Sequence, residues 1–541
     1  MIGECSVPLQ DNIDWWVSNP VSRNTLNSDL FLAYCKVQLI KVLLESGNKI
    51  NEIVVDTLAM KTILHQLPGI NDTKITIAKS IIVSSLNNYG LLLLSMARQF
   101  VHKLFQVALF RILFMGKKVI LTQPITLIDT FAIPGYYSRD RYYNGLWESL
   151  SKSEKNGIKF VPTIVMTSLY KLFHAFRELI NAERQFLFKE SYLKFSDIFY
   201  ALLYPIRVRF IKIKSVVVDG IDYSSLINTE LHNRAGYHLA IEGLINYRFI
   251  KRLKDKNIKI RKFIDWWESH SLDKGLHKAL NKYFPDVPVV GYLGYAPREL
   301  ELQLYPADYE LYNNVVPEKI AVIGKAFVDG LKIFSPNHDI EYAPAFRFQH
   351  LWNGEPHKPD SNKYTVLIAL PIILNDSIHI IKMVNSCLND LSINTLRIWV
   401  KPHPTISVDQ LKNELSTEWP NIFEICEDDT QLALRKSDIL ISGMSSICLE
   451  AMALGIPALV VEQPYGLQFV PVPDDIPQDL WKLCYSKRDI LKSIEHFKSR
   501  NENELIRHAN LGNEIREKCF EPVNRQGILK FLNINGEEII A

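Results

Sequence analysis

The sequence predicts an α/β protein made of two Rossmann-like domains, and three observations support this fold class. The chain has 541 residues, whereas a single hydrophobic core stops growing at roughly 250–300 residues. Its 47% hydrophobic and 22% charged residues are typical of folded proteins, because disordered chains carry fewer apolar residues and more net charge. Strands and helices also alternate regularly in the C-terminal half, which indicates a doubly wound parallel sheet.

The alternation is clearest after residue 363. Short β-branched runs bounded by turn residues predict strands, and longer runs with apolar residues at helical spacing predict helices. The predicted strands are 364–373, 395–404, 422–429, 438–443 and 456–462, and the predicted helices are 376–391, 408–419, 430–437 and 445–455. Strands joined through helices run parallel, so this half is predicted to be one Rossmann-like domain.

The N-terminal half shows a weaker version of the same pattern. KIKSVVVDG (212–220) and VPVVGYLGY (287–295) are predicted to be buried strands. The stretch 226–256 between them is predicted to form one helix or two joined helices, which again favours a parallel sheet.

A linker divides the two halves. Residues 342–363 are rich in Pro, Asn, Gly and His and show no hydrophobic period. The predicted domains are therefore 1–341 on the N-terminal side and 364–541 on the C-terminal side.

Charge and cysteine content exclude several classes of protein. The 62 basic and 59 acidic residues give a net charge of +3, and nucleic-acid binders usually carry a strong basic excess. We therefore expect no nucleic-acid partner. The seven cysteines include no CxxC pair, which argues against a zinc site or a disulfide framework and favours a reducing cytoplasm. The first residues show no basic region followed by an apolar core, so we expect no signal peptide.

Two adjacent stretches raise the question of a membrane. Residues 79–98 contain the run LLLLSMA but are polar in the middle, and a span needs about 20 predominantly apolar residues. Residues 96–118 have apolar residues at helical spacing beside six basic or titratable ones. This pattern fits an amphipathic helix on anionic lipid, and it equally fits a core helix with a solvated basic edge. We expect no spanning segment and a possible peripheral contact with the inner face of the cytoplasmic membrane.

Polar residues follow two of the C-terminal strands. Lys401, Pro402, His403 and Pro404 come after the strand ending in LRIWV. Proline fixes φ, so the two prolines stiffen a loop that can present Lys401 and His403 to an anion. Such a histidine usually has a structural role, so the loop supports a binding function only together with the next cluster.

The second cluster is Ser442-Gly443-Met444-Ser445-Ser446, followed by Glu450 one turn into the next predicted helix. The start of a helix offers unpaired N–H groups to phosphate, and Gly443 permits a close approach of the backbone. Ser445 and Ser446 can bind phosphate oxygens or simply cap the helix. Glu450 can accept hydrogen bonds from a ribose, or be an ordinary surface residue.

These motifs resemble a known group of enzymes. KPHP followed by SDILISGMSSICLEAMALGIPALV is similar to the HP and SS motifs of bacterial GT-B glycosyltransferases of surface polysaccharides, including sialyltransferases, Kdo transferases and glycerophosphate polymerases. The resemblance covers roughly 395–465. It implies two Rossmann-like domains facing each other across a cleft. It also implies that His403, Ser445 and Ser446 contact the phosphates of a nucleotide sugar.

Such an enzyme needs a carboxylate on the N-terminal side of the cleft. It would take the proton from the acceptor in an inverting transfer, or attack the anomeric carbon in a retaining one. Glu268 is the first candidate, because Trp266 and Trp267 could raise its pKa by desolvation. Asp219, at a predicted strand end, and Glu230, beside His232, are the alternatives.

The predicted function is transfer of a sugar, best guessed as a CMP-activated acidic sugar such as Kdo. The acceptor would be a growing lipopolysaccharide or capsule glycan, free or lipid-linked. Asp428-Asp429 is expected to cap the next helix rather than bind metal, so no metal or other cofactor is predicted. The alternatives are a CDP-glycerol-type glycerophosphotransferase, a UDP-sugar 2-epimerase, and a non-catalytic scaffold that binds no nucleotide.

Overall fold

A computed structural model gives the three-dimensional arrangement of the chain. It describes residues 1–114, 123–165, 167–353, 363–415, 418–464 and 466–534, and of residues 79–96 and 393 the backbone alone. Lys117, Lys118 and residues 354–362 of the linker lie outside the described residues.

The strands form two large sheets and two small ones. In chain order they are β1 (Glu52–Val55), β2 (Lys74–Ile77), β3 (Ile125–Ala132), β4 (Ile158–Ile164), β5 (Val217–Val218), β6 (Ile221–Asp222), β7 (Ile260–Trp266), β8 (Val289–Leu293), β9 (Lys319–Val322), β10 (Asp339–Tyr342), β11 (Tyr364–Ala369), β12 (Leu396–Lys401), β13 (Phe423–Ile425), β14 (Ile439–Ser442), β15 (Ala458–Val461) and β16 (Trp481–Cys484).

Helices cover the faces of the two large sheets and build the N-terminal periphery. They are α1 (Ile2–Ser6), α2 (Ile13–Trp16), α3 (Asn19–Ser22), α4 (Leu30–Glu45), α5 (Leu58–Leu64), α6 (Lys79–Phe114), α7 (Lys152–Asn156), α8 (Leu172–Asn181), α9 (Phe195–Leu202), α10 (Tyr204–Arg207), α11 (Ser224–Leu231), α12 (Tyr237–Asp255), α13 (Ser271–Tyr283), α14 (Asp308–Tyr312), α15 (Leu374–Cys387), α16 (Val408–Glu414), α17 (Thr430–Arg435), α18 (Ile447–Ala453), α19 (Lys487–Lys498), α20 (Glu502–Cys519) and α21 (Arg525–Leu532).

The C-terminal domain confirms the predicted Rossmann-like sheet. Its strand order is β13-β12-β11-β14-β15-β16, and every pair is parallel. The chain therefore starts in the middle and winds outward in both directions, as in dinucleotide-binding folds. All four residues of β14 and of β15 are buried, because helices cover both faces and demand continuous apolar strands.

The N-terminal domain is a second parallel sheet, with the order β10-β9-β8-β7-β3-β4. The strand predicted at 287–295 is β8, and the helical stretch 226–256 is α11 and α12. The strand predicted at 212–220 is wrong. There the chain forms the two-residue antiparallel hairpin β5–β6, with Asp219 and Gly220 at φ of 50° and 79° in its turn. Positive φ at both central positions suits this tight hairpin turn.

The long helix α6 has 36 residues, a length of about 54 Å at 1.5 Å per residue. Two of its described basic side chains are held by contacts within the protein, whereas Arg98 is exposed. Lys103 forms an ion pair with Glu242 at 2.5 Å, and the guanidinium of Arg111 donates to the carbonyl of Leu193. In the described part of the chain, no helix combines the length and the apolar character that crossing a bilayer requires.

The end of the chain returns to the N-terminal domain. The amide of Glu521 donates to the carbonyl of Ile323 at 2.7 Å, and Lys262 Nζ donates to the carbonyl of Phe531 at 2.6 Å. The predicted boundary assigns 364–541 to the C-terminal domain, whereas these contacts attach α21 to the other sheet. The two domains are thus joined by two chain crossings.

Candidate active site

The two polar clusters of the C-terminal domain lie close together because of the sheet order. Strands β12 and β14 are the two neighbours of β11. All three run parallel, so their carboxyl ends share one edge, where α/β proteins bind ligands. The loops 401–404 and 442–446 therefore flank the end of β11.

These loops line a cavity between the domains with a volume of about 190 Å³. Its wall from the N-terminal domain and the crossover consists of Tyr295, Ala296, Arg298 and Arg347, and its wall from the C-terminal domain consists of Pro371, Ile372, His403, Met444, Ser445, Ser446 and Pro471. The predicted cleft is thus confirmed, and it brings His403, Ser445 and Ser446 together. We call this cavity the cleft site.

His403 is held by its own loop. The amide of Thr405 donates to Nδ1 of His403 at 3.3 Å, and the Thr405 hydroxyl lies 2.7 Å from the same nitrogen. The neutral ring therefore carries its proton on Nε2, which is the nitrogen left to donate to a ligand. Burial lowers the pKa of His403, and the nearby charge of Arg141 lowers it further.

The serines of the second loop differ in their contacts. The amide of Ser445 turns back to the carbonyl of Gly443 at 2.8 Å. Ser446 is the residue before α18, and its side chain makes no capping hydrogen bond within the described structure. The Ser446 hydroxyl is therefore available to a ligand in the cleft site.

Other predicted donor-binding residues point elsewhere. Lys401 Nζ donates to the carbonyls of Cys426 and Asp428, and the hydroxyl of Ser442 donates to the carbonyl of Ala369 at 2.6 Å. Both side chains thus fasten the sheet edge. Pro404 is exposed outside the cavity lining.

Glu450 lies on α18 beside the crossover between the domains. Its Oε2 is 3.1 Å from Nε2 of His350, and both side chains are largely buried. The ribose-binding role of Glu450 stays a prediction.

Glu268 lies just after β7, behind the N-terminal wall and outside the lining of the cleft site. Its Oε1 accepts a hydrogen bond from Nε1 of Trp266 at 2.8 Å, and its Oε2 lies 3.1 Å from Nε2 of His270. Its charge acts on Tyr295 and Arg298 of the cleft site. Glu268 therefore lies close to the cleft site, and its catalytic role stays a prediction.

The pKa expected for Glu268 was wrong in direction. Burial raises the pKa of this carboxyl, but the hydrogen bonds from His270 and Trp266, with the charge of Arg347, outweigh burial and lower it. The aromatic neighbour acts through its N–H rather than through desolvation alone. Glu268 is consequently a carboxylate at neutral pH.

His270 is oriented by a residue from the start of the chain. Nδ2 of Asn24 lies 3.0 Å from Nδ1 of His270, while Oδ1 of Asn24 accepts from the amide of Leu26 at 2.9 Å. The amide orientation makes His270 Nδ1 an acceptor and Nε2–H a donor to Glu268. Burial lowers the pKa of His270, and the Glu268 carboxylate outweighs this and raises it.

The backbone between these two residues is strained. Ser269 is fully buried and has a φ of 54°, a left-handed conformation that costs a non-glycine residue free energy and clusters at functional sites. The next turn is fixed by Asp273, whose Oδ2 accepts from the amides of Glu268 and His270 at 3.2 and 2.8 Å. The positions of Glu268 and His270 are thus fixed by hydrogen bonds to Asp273, in addition to those with Trp266 and Asn24.

Three arginines lie in or near the cleft, and one of them is paired within its own wall, since Arg298 Nη2 forms an ion pair with Glu301. Arg298 donates through Nη1 to the carbonyl of Met444 at 3.0 Å, and its buried Nε has no hydrogen-bond partner among the described residues. The guanidinium of Arg347 lies 5.9 Å from the ring of Trp266, and Arg141 acts on His403 from across the cleft. Such a group suits the phosphates of a nucleotide.

Asp219 and Glu230 are far from this chemistry. Asp219 is exposed in the β5–β6 turn, so its predicted place at the end of a sheet strand is wrong. Glu230 is buried on α11, where it accepts a hydrogen bond from Asn19, and burial raises its pKa. It lines a different cavity, of about 1040 Å³, between α4, β1 and α11. Its neighbour His232 bonds to the carbonyl of Asn228.

Sequence reasoning missed the arginines, Tyr295 and Asn24. Arg298 follows β8 by five residues, so the rule that ligands bind beyond strand ends could have found it. Arg141 lies in an irregular segment and Arg347 in the short 3-10 helix Phe346–Leu351, and no local pattern distinguishes either of them. Asp429 caps α17 through the amide of Leu432, as predicted. No set of three or more His, Cys, Asp or Glu suited to a metal ion occurs among the described residues.

Among the comparisons with known proteins, only the search of solved structures found similar proteins. No family model and no curated protein sequence matches the chain. Similar solved structures include the glycotransferase of kitacinnamycin (11% identity, 76% of this chain and 98% of that one, TM-score 0.41). Another is MurG of Acinetobacter baumannii (12% identity, 76% of this chain and 99% of that one, TM-score 0.37). A third is the UDP-GlcNAc 2-epimerase of Neisseria meningitidis bound to UDP-GlcNAc (13% identity, 76% of this chain and 98% of that one, TM-score 0.41).

Proposed function

We propose that this protein is a nucleotide-sugar-dependent GT-B glycosyltransferase acting at the cleft site. One observation carries the proposal: His403 and Ser446, from two loops of one sheet, face the same small cavity as Tyr295, Arg298 and Arg347. Groups suited to phosphate thus meet between two Rossmann-like domains, with the Glu268 carboxylate close enough for its charge to act on Tyr295 and Arg298.

The donor would lie against the C-terminal domain. His403 Nε2–H, the Ser446 hydroxyl and the arginines can donate to its phosphate oxygens, and charge-assisted bonds of this kind are stronger than neutral ones. Because the pKa of His403 is lowered, its ring is neutral, and the neutral ring still donates through Nε2–H. These groups stabilise the charge that develops on the nucleotide as the bond to the sugar breaks.

The acceptor would enter along the N-terminal wall. In an inverting transfer the Glu268 carboxylate takes the proton of the acceptor hydroxyl while its oxygen bonds to the anomeric carbon. The bond from that carbon to the phosphate oxygen breaks, and the nucleotide leaves with the electron pair. His270 holds Oε2 of Glu268, so Glu268 keeps one orientation during the step.

The best guess for the donor is a CMP-activated acidic sugar such as Kdo. Arg298 and Arg347 line the cavity and Arg141 lies near His403, which suits a donor that carries negative charge, and the HP and SS motifs resemble those of CMP-sugar enzymes. The acceptor would be a lipopolysaccharide or capsule glycan, free or lipid-linked, at the inner face of a bacterial cytoplasmic membrane.

The test is a binding and transfer series with the purified chain. Thermal shifts with CMP, CDP and UDP rank the nucleotides, and transfer from the matching sugar nucleotide is then followed by mass spectrometry. We expect CMP to give the largest shift. If CDP dominates and CDP-glycerol is consumed, the protein is a glycerophosphotransferase that uses the same loops. If no nucleotide shifts the melting temperature, the enzyme proposal fails and a scaffold role replaces it.

A further inference from the structure

The N-terminal domain exposes large apolar side chains on three neighbouring helical segments. Such residues scattered singly are ordinary, whereas a contiguous group marks an interaction surface. We call the following set the apolar surface: Val101, Phe105 and Ile112 on α6, Tyr170 and Phe173 at α8, and Phe195, Phe199, Leu203, Ile206 and Phe210 along α9, α10 and the turn after them.

Helical spacing places these residues in stripes. Val101, Phe105 and Ile112 are four and seven residues apart, so they share one face of α6. The exposed fraction is 74% for Ile112 and 77% for Phe210, which means that nothing in the described structure covers either end. The second stripe runs from Phe195 to Phe210 with members three or four residues apart.

Contacts between the segments show that the stripes are adjacent. The rings of Phe100 and Phe199 are 5.2 Å apart, and the guanidinium of Arg111 lies 5.3 Å from the ring of Phe195. On the other side, Nε2 of His102 lies 3.1 Å from the carbonyl of Thr167, just before Tyr170. The α6 stripe therefore runs between the other two groups.

The exposed charge around the apolar surface is mostly positive. Residues 167–216 are all described, and their exposed basic residues are Lys171, Arg177, Lys194, Arg209, Lys212 and Lys214. In the same range Glu183 is exposed, Glu178 is half-buried beside His174 at 2.8 Å, and Glu190 and Asp197 are buried. The whole chain has a net charge of only +3, so this basic excess is local.

The apolar surface also lies beside the cleft. Strand β4 is parallel to β3, so the segment that follows β4, with Tyr170, leaves the same sheet edge as the loop that carries Arg141. Glu268 follows β7 at this edge as well. An acceptor held at the apolar surface would thus lie on the side of the domain that carries the N-terminal wall of the cleft site.

We propose that the apolar surface docks on an anionic lipid bilayer, with its aromatic side chains in the interface and its basic residues against the headgroups. Aromatic and aliphatic groups beside Lys and Arg are the composition of interfacial binding surfaces. A second copy of the chain fits less well, because a symmetric contact would bring the same basic residues together. The inference rests on the proposed function only for the idea that the acceptor is lipid-linked.

The test is sedimentation with vesicles of phosphatidylcholine alone or mixed equally with phosphatidylglycerol, without nucleotide. We expect wild type to pellet with the mixed vesicles at low salt and to be released by high salt. The apolar variant, Phe105→Ser with Ile112→Ser, Phe199→Ser and Phe210→Ser, should lose at least tenfold in partition coefficient. In the charge variant Lys171, Arg209, Lys212 and Lys214 become Gln. The partition coefficient of this variant should fall roughly fivefold for each cation removed, because each cation near anionic lipid contributes ~1 kcal/mol.

A matched control changes exposed apolar residues elsewhere, Tyr312→Ser with Ile333→Ser and Tyr485→Ser, and should pellet like wild type. Thermal unfolding of each variant confirms folding. Wild type that stays in the supernatant with mixed vesicles at low salt would overturn the proposal. So would an apolar variant that is folded and pellets like wild type. A wild-type dimer that the apolar variant converts to monomer, measured by light scattering, would assign the surface to a second copy instead. Nucleotide binding is measured separately, so failure of either proposal is recognised independently.

Discussion

The two walls of the cleft site are built in different ways. In the C-terminal wall the supporting bonds are local: His403 is held by Thr405, and Ser445 by Gly443. Behind the N-terminal wall, local bonds among Trp266, Glu268, His270 and Asp273 are joined by one that spans the chain, since Asn24 contacts His270 across 246 residues. A change in the C-terminal wall should therefore remove one contact, whereas a change in the N-terminal wall should disturb several.

The largest expected effect comes from the N-terminal wall. Glu268→Gln keeps the size and the hydrogen bond from Trp266 but removes the base, so kcat should fall roughly 10²–10⁴-fold, the contribution typical of general base catalysis. Nucleotide affinity should stay unchanged. Initial rates and calorimetric titration measure the two quantities.

Glu230→Gln is the matched control for this change. Glu230 is also a buried glutamate, but it lines the other cavity, and its hydrogen bond from Asn19 can be kept by the amide. Its kcat should stay within a few-fold of wild type. If Glu230→Gln lowers kcat as much as Glu268→Gln while its stability is normal, the assignment of Glu268 as the base is contradicted.

The next effect tests the C-terminal wall. His403→Ala removes one donor to phosphate, worth ~2–4 kcal/mol in comparable sites, so transfer should fall tenfold or more with an unchanged melting temperature. His496→Ala, an exposed histidine on α19 of the same domain, should have no effect. Near wild-type turnover of His403→Ala would contradict phosphate binding by this loop.

A smaller effect tests how tightly the N-terminal wall is packed. A Cβ added to Gly294 would lie 1.9 Å from Cη2 of Trp266, and this ring is already packed against Tyr142 and Tyr292. Gly294→Ala should destabilise the fold by roughly 1–3 kcal/mol, as overpacking does. Gly330→Ala meets no atom within 4 Å and should stay within about 0.5 kcal/mol. Equal denaturation midpoints for the two variants would refute the tight packing.

The smallest effect is a shift in pH dependence. Burial raises the pKa of Glu268, and the hydrogen bond from His270 is the largest cause that lowers it. His270→Ala should therefore raise this pKa, and the acid limb of kcat/KM should move to higher pH. A limb that does not move would mean that another group limits activity at low pH.

The difference between the walls also explains what the sequence could predict. Each strand and helix predicted between 364 and 462 has its own local pattern, and the site loops follow two of these strands directly. The N-terminal wall has a weaker signal: Arg298 follows β8, but Arg141 lies in an irregular segment and Arg347 in the short 3-10 helix Phe346–Leu351. The pKa of Glu268 depends on His270 and on contacts that spacing alone cannot reveal.

Two N-terminal strands show the limit in detail. VVVDG has the β-branched content of a buried strand, but the Asp219-Gly220 pair turns the chain into a hairpin. The true sheet strand β7 was not predicted, because Arg261 and Lys262 interrupt its apolar run. Lys262 is buried there by its bond to the carbonyl of Phe531, a contact 269 residues away.

Calorimetric titration of CMP, CDP and UDP into wild type, His403→Ala and Lys36→Ala tests the central claim most directly. Lys36 lines the cavity of about 1040 Å³ and is absent from the lining of the cleft site. The account predicts one nucleotide bound per chain, weakened at least tenfold by His403→Ala and unchanged by Lys36→Ala. Binding that is weakened by Lys36→Ala and unaffected by His403→Ala would place the nucleotide in the other cavity and contradict the account.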